Sequence, residues 1–235
     1  MIIAAGVASG VIGILAVVSR ERHLTSLGNA FRDQRALAGR PCVFRPLAHD
    51  DRRGDHFRKA SAIIQALLDC GFVVLGDIAI EPEHSVAALV RILVDPSGTK
   101  FACIAMSHPN YFLTIKSYTD DGSTVTVRSD RGGVLTSPPT LHRAFVARGT
   151  NAPEFVRRHK PIAPESALMK VSTLNELLAL MCRDHERKTV WRAAQPPDEL
   201  LASDLREFFG DRYAKWVPKF ARCLHHPPKA TALSK

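Results

Sequence analysis

The densest group of side chains with chemical potential lies between His142 and Lys160, where five Lys or Arg residues stand against one Glu. Two histidines in the same stretch add groups that titrate near neutral pH. Such a cluster can hold a phosphate or another acidic ligand through charge-assisted hydrogen bonds. We predict an anionic ligand here, with a solvated basic face as the alternative. The candidate residues are His142, Arg143, Arg148, Arg157, Arg158 and His159.

A metal site is the second chemistry that the residue types suggest. Cys182 and His185 lie three residues apart and would share one face of a helix, and Cys223 and His225 could complete a tetrahedral zinc set. Their spacing matches no common zinc pattern, so we predict no metal and no other cofactor. Asp120 and Asp121 precede Gly122 between two predicted strands, and there Asp is ordinary turn chemistry.

The first residues of the chain are unusually apolar. No charged residue occurs from Ile2 to Val18, and a helix of this length reaches about 26 Å, close to the thickness of a thin hydrocarbon core. A signal peptide would begin with a basic region, which is absent, and a core helix would have a polar face. We therefore predict a transmembrane anchor over residues 1–19. A cleaved signal and a buried core helix remain as alternatives.

The charge that follows this segment predicts its orientation. Arg20, Arg22, Arg32 and Arg35 all lie on its C-terminal side, and basic residues hold such flanks in the cytoplasm. Five widely spaced cysteines without a C-x-x-C motif fit the same reducing compartment. The prediction is a single-pass protein of the cell membrane, with its N-terminus outside and its C-terminal domain in the cytoplasm.

Small residues recur every three or four positions within the apolar segment. Such spacing lets two membrane helices approach closely, which makes a homodimer through this helix possible. The residues that would form the contact are Gly6, Ser9, Gly10 and Gly13.

Composition narrows the possible partners. The chain is 46% hydrophobic and 23% charged, as in a folded protein, and its net charge is +9. Basic residues beside an anchor are attracted to an anionic inner leaflet, so the predicted partners are the bilayer and anionic lipid head groups. Nucleic acid is the least favoured of the predicted partners because the sequence has no RNP motif, zinc finger or basic zipper.

The C-terminal helix predicted over residues 211–224 has an aromatic stripe with basic flanks. Two interpretations are open: the stripe packs on the domain core, which the pattern favours, or it touches the membrane surface. The residues of the membrane interpretation are Lys215, Trp216, Lys219 and Phe220.

Hydrophobic periodicity predicts an α+β fold, in which an antiparallel sheet of about five strands packs with several helices. A Pro-containing stretch over residues 39–55 is predicted to be a linker. The predicted strands are Phe72–Ile80, Val86–Val94, Phe101–Met106, Tyr111–Tyr118 and Thr124–Arg128. The predicted helices cover residues 24–38, 56–70, 150–161, 173–191 and 196–209, and the fourth of these opens with a capping box at Thr173.

These elements predict four regions and one main function. The regions are an anchor (1–19), a juxtamembrane helix and linker (20–54), an α+β sheet domain (55–165) and a C-terminal helical segment packed on it (166–235). The predicted function is a membrane-anchored binding or adaptor domain, since no catalytic motif is evident. The alternatives are a tethered enzyme acting on an anionic or lipid-derived substrate at a His/Arg-lined site, and a tethered nucleic-acid binder.

Overall fold

The computed structural model describes residues 28–29, 31–32, 35, 38–47, 57–82, 88–107, 110–129, 135–147, 149–159 and 167–210. These residues divide into two compact units. The first holds the described residues between 38 and 197, apart from Leu135, and the second holds the remaining ones.

A seven-stranded sheet forms the centre of the first unit, and its strands follow one another in sequence order. Neighbouring strands are antiparallel, except that β6 and β7 are parallel. The strands are β1 (Cys42–Pro46), β2 (Val73–Pro82), β3 (Ala88–Val94), β4 (Phe101–Ser107), β5 (Asn110–Tyr118), β6 (Thr124–Arg128) and β7 (Leu141–Phe145).

The α+β class is confirmed, but the sheet is larger than the five antiparallel strands predicted, and it is mixed. The five predicted strands correspond to β2–β6, while β1 lies inside residues 39–55, which were predicted to be a linker. As an edge strand, β1 alternates between exposed and half-buried residues, so its hydrophobic pattern is weak. β7 follows a long return connection from β6, which brings it in parallel to its neighbour.

Helices cover both faces of the sheet because both faces are apolar. Leu93 belongs to one hydrophobic cluster, whereas Ile92 and Val94 belong to the other, as strand alternation requires. A 3-10 helix (Arg58–Ala60), α1 (Ser61–Asp69) and α2 (Ala152–His159) cover the first face. The second face is covered by α3 (Leu174–Ala193), through Leu177, Leu178, Leu180 and Met181.

The predicted capping box at the start of α3 is confirmed. The Thr173 hydroxyl accepts a hydrogen bond from the Glu176 backbone N–H at 3.2 Å, and the Glu176 carboxylate accepts one from the Thr173 N–H at 3.2 Å. Two backbone donors that a helix start leaves unpaired are thereby satisfied, which fixes where α3 begins.

The second unit contains the helix α4 (Pro197–Phe209) from Asp198 onward, together with described helical residues between 28 and 35. The fully buried Phe31 packs its ring against those of Phe208 and Phe209, at centroid distances of 5.1 and 5.6 Å. Arg35 donates a hydrogen bond to the buried Asp204 carboxylate at 2.9 Å.

Several predictions concern residues outside the described ranges. They include the anchor over 1–19 with its small-residue contact at Gly6, Ser9, Gly10 and Gly13, and the helix over 211–224 with Lys215, Trp216, Lys219 and Phe220. Among the helices in the described part of the chain, none is long and apolar enough to cross a bilayer.

Candidate anion-binding site

A polar patch interrupts the apolar face of the sheet where α3 covers β5 and β6. Strand alternation places Lys116 and Tyr118 on the same face of β5, and Thr124 and Thr126 on the same face of β6. Their register makes Lys116 the neighbour of Thr126 and Tyr118 the neighbour of Thr124. Arg143 on β7 pairs with Thr126, so a cation, a hydroxyl and a second cation lie in a row across three strands.

Helix α3 inserts one carboxylate, that of Asp184, against this patch. Its Oδ2 lies 3.2 Å from Lys116 Nζ and 2.6 Å from Lys188 Nζ. Its Oδ1 lies 3.1 Å from Arg187 Nη2 and accepts a hydrogen bond from the Thr124 hydroxyl at 3.0 Å. We call Lys116, Asp184, Arg187 and Lys188 the cationic cluster.

Burial makes the Asp184 contacts energetically important. The Asp184 side chain is 3% exposed, and removing a carboxylate from water costs several kcal/mol unless its partners compensate. Burial alone would raise the pKa of Asp184, but Lys116 and Lys188 outweigh it and hold that pKa well below its usual range. Asp184 is therefore ionised, and three cations face this single negative charge.

The pKa values of the two lysines in the cluster shift in opposite directions. Burial opposes the charge on Lys116, yet the proximity of Tyr118 and Asp184 raises the pKa of Lys116 above its usual value. Burial and repulsion from Lys116 lower the pKa of Lys188 to about 8, although Asp184 acts in the opposite direction. Arg143 also lowers the pKa of Lys188, which shows that its positive charge acts on the cluster.

Three hydrogen-bonding groups beside the cluster have no partner among the described residues. They are the buried Tyr118 hydroxyl, the Thr126 hydroxyl and the Nε of Arg187. Buried polar atoms without a partner are uncommon, because each costs the free energy of a lost hydrogen bond. They are donors that a small anion could use.

A cavity of about 240 Å³ adjoins the cluster, and Tyr118, Gly122, Asp184 and Arg187 are among its lining residues. Gly122 has a positive φ of 79°, and a Cβ there would lie 3.2 Å from Arg187 Nη1. The glycine therefore lets Arg187 lie close above the turn between β5 and β6.

The predicted turn role of the aspartates at this position is seen at Asp121. Its Oδ1 accepts hydrogen bonds from the Thr119 hydroxyl at 2.5 Å and from the Ser123 N–H at 2.8 Å. These bonds close the loop that carries Gly122 beneath Arg187.

The described residues among the six predicted to bind an anion contact different partners in the structure. His142 is exposed on β7 near Asp121, and Arg143 donates a hydrogen bond to the Ser137 hydroxyl at 2.5 Å. Arg157 and Arg158 are exposed on α2, where both donate hydrogen bonds to Glu154. Arg148 lies outside the described residues.

His159 is completely buried at the end of α2, and neither ring nitrogen has a hydrogen-bond partner within the described residues. Burial and the nearby Lys100 lower its pKa to about 4, although Asp95 acts in the opposite direction. The charged neighbours of His159 are Lys100 and Asp95, whereas the charged neighbour found for His142 is Asp121.

The described residues considered for a zinc site do not form one in the structure. His185 Nε2 lies 2.8 Å from the Arg40 carbonyl oxygen, and Cys182 is half-buried on the same helix. Among the described residues, no group of three or more His, Cys, Asp or Glu side chains is arranged to hold a metal.

Comparison of the chain with protein-family models, with curated proteins and with solved structures found no match. Sequence reasoning missed all four residues of the cationic cluster because Lys116 and Asp184 are 68 residues apart. One available signal was Lys116 itself, an isolated charge within an otherwise uncharged strand.

The energetic importance of Asp184 leads to a first prediction. The substitution Asp184→Asn preserves the side-chain shape but leaves three cations without their shared carboxylate. We expect the free energy of unfolding, measured by urea denaturation at neutral pH, to fall by about 3 kcal/mol. Glu154→Gln, which disrupts two exposed ion pairs, is the control and should have little effect. Equal losses in the two variants would contradict the account.

The buried His159 leads to a second prediction. The unfolded chain binds a proton at this residue below pH 6.5, whereas the folded chain does so only below about pH 4. Folding stability should therefore fall by about 3 kcal/mol as the pH drops through this window. The free energy of unfolding of the His159→Leu variant should lack this dependence on pH, and that of the His142→Gln variant should retain it. An unchanged slope in His159→Leu would show that another group is responsible.

Proposed function

We propose that this protein is a binding protein that holds a small anionic group, either a carboxylate or a phosphate, at the cationic cluster beneath α3. The observation that carries the proposal is the contact of three cations with the single buried carboxylate of Asp184. Three positive charges against one leave an excess of two within the cationic cluster.

An anion would be bound strongly here for electrostatic reasons. Charge interactions near a protein interior are several times stronger than in bulk water. Arg187 offers a planar fork that suits carboxylate and phosphate oxygens, and Tyr118, which lines the same cavity, offers a hydroxyl from the sheet. The ligand would replace water around cations that Asp184 alone does not neutralise.

The adjoining space limits the size of the ligand. Its volume of about 240 Å³ is below the usual range for drug-sized molecules, about 300–1,000 Å³. The site therefore suits a small anion, or the anionic group of a larger molecule whose remainder stays outside. A free phosphate ester and a lipid head group share this chemistry.

The second part of the proposal is a membrane tether. The absence of charge from Ile2 to Val18 and the arginines that follow support an anchor over residues 1–19, with the domain in the cytoplasm. Such a tether would keep the domain near anionic head groups. Gly6, Ser9, Gly10 and Gly13 would let two anchors pack as a homodimer.

Calorimetric titration with inorganic phosphate, at low salt and with the full chain in a detergent micelle, tests the ligand proposal. We expect binding to weaken at least about tenfold in the double variant Arg187→Gln/Lys188→Gln, since two of the three cations are lost. The matched control is Arg157→Gln/Arg158→Gln, which removes the same charge from the exposed face of α2.

The control should bind phosphate as the wild type does. Equal weakening in both double variants would show that phosphate responds only to net charge, and no binding to the wild type would refute the anion site. Parallel titrations with glycerol phosphate and with a short-chain phosphatidic acid distinguish the sources. Tighter binding of the phosphatidic acid would indicate a lipid head group, and tighter binding of glycerol phosphate would indicate a free phosphate ester.

A fusion to a C-terminal fluorescent reporter that folds only in the cytoplasm tests the tether. We expect a fluorescent product of full length that stays in the membrane pellet after alkaline carbonate extraction. Deletion of residues 2–18 should release it into the soluble fraction. A shortened, dark or soluble product from the full chain would contradict both the anchor and its orientation.

A further inference from the structure

A second and larger cavity lies on the opposite face of the sheet, between α1 and α2. Its volume is about 450 Å³, within the range of about 300–1,000 Å³ that small-molecule sites occupy. Ile63 and Ala66 of α1 and Phe155 of α2 are among its lining residues. The hydrophobic cluster that includes Ile63 and Phe155 is separate from the cluster beneath α3. We call this cavity the apolar pocket.

The lining of the apolar pocket is uncharged throughout its described residues, although the chain has a net charge of +9. A charged molecule that entered it would lose hydration without meeting a described counter-charge, at a cost of several kcal/mol. An apolar molecule would instead gain about 25 cal/mol for each square ångström removed from water. The pocket therefore favours uncharged ligands.

A few hydrogen-bonding groups line the same pocket. Tyr111 and Ser129 contribute hydroxyls, and Asn151 contributes a side-chain amide. The Asn151 Oδ1 already accepts a hydrogen bond from the Glu154 N–H at 3.0 Å, which leaves its NH₂ group available as a donor. One polar group of a ligand could be oriented by these side chains, while its apolar part lies against Ile63 and Phe155.

We propose that the apolar pocket is a binding site for a small uncharged molecule with an apolar body and one hydroxyl or carbonyl group. This inference is independent of the anion site, because the two cavities lie against opposite faces of the sheet. A medium-chain alcohol is the simplest molecule with this chemistry.

Photolabelling of the full chain with decanol that carries an aliphatic diazirine gives a site-resolved test. After irradiation, peptide mass spectrometry locates the label, so reaction at a membrane segment is distinguished from reaction at the pocket. We expect labels on peptides that contain residues 62–66, 111–113 and 149–155. Excess decanol should compete for these positions, whereas decanoate and decylammonium should compete at least about tenfold less well.

Ala66→Trp supplies the structural control because Ala66 is half-buried and lines the pocket, so an indole at this position would occupy the pocket. Gln65→Trp places the same side chain on the exposed side of α1. We expect the first variant to lose labelling at least about tenfold and the second to keep it, with circular dichroism confirming that both are folded. Labelling that survives Ala66→Trp, or that decanoate blocks as well as decanol does, would overturn the proposal. The phosphate affinity should be the same in both variants, which separates this site from the anion site.

Discussion

The contact between Asp184 and its cations is the interaction on which the proposed site depends. A buried carboxylate is tolerated only where its charge is compensated, and here Lys116 comes from the sheet while Arg187 and Lys188 come from the helix. The same contact therefore joins α3 to the sheet and concentrates positive charge between them. A purely apolar helix would cover the sheet equally well but would leave no ligand site.

The sheet itself explains why two different cavities can exist. Apolar side chains on both faces require helices on both, and each helical layer covers its face incompletely. Where α3 crosses the polar patch of β5 and β6, the remaining cavity is lined partly by charged side chains. Where α1 and α2 meet over the first face, the residual space is apolar and has hydrogen-bonding groups in its lining.

Much of this architecture could be predicted from the sequence, since local patterns specify it. The capping residues Thr173 and Glu176 marked the start of α3, and the alternation from Thr124 to Arg128 marked β6. β1 was missed because a short, exposed edge strand lacks a hydrophobic pattern.

The site was harder to predict than the fold. Arg157 and Arg158 looked like ligand-binding residues in the sequence, but in the structure they contact Glu154 on their own helix. The cationic cluster instead depends on a contact between residues 116 and 184, and only the register of β5 beneath α3 brings them together.

A crystal structure of the full chain soaked in selenate would test the central claim most directly. The account predicts an anomalous selenium peak within hydrogen-bond distance of Arg187 and Lys188. Peaks confined to the exposed surface, with none at the cluster, would contradict it.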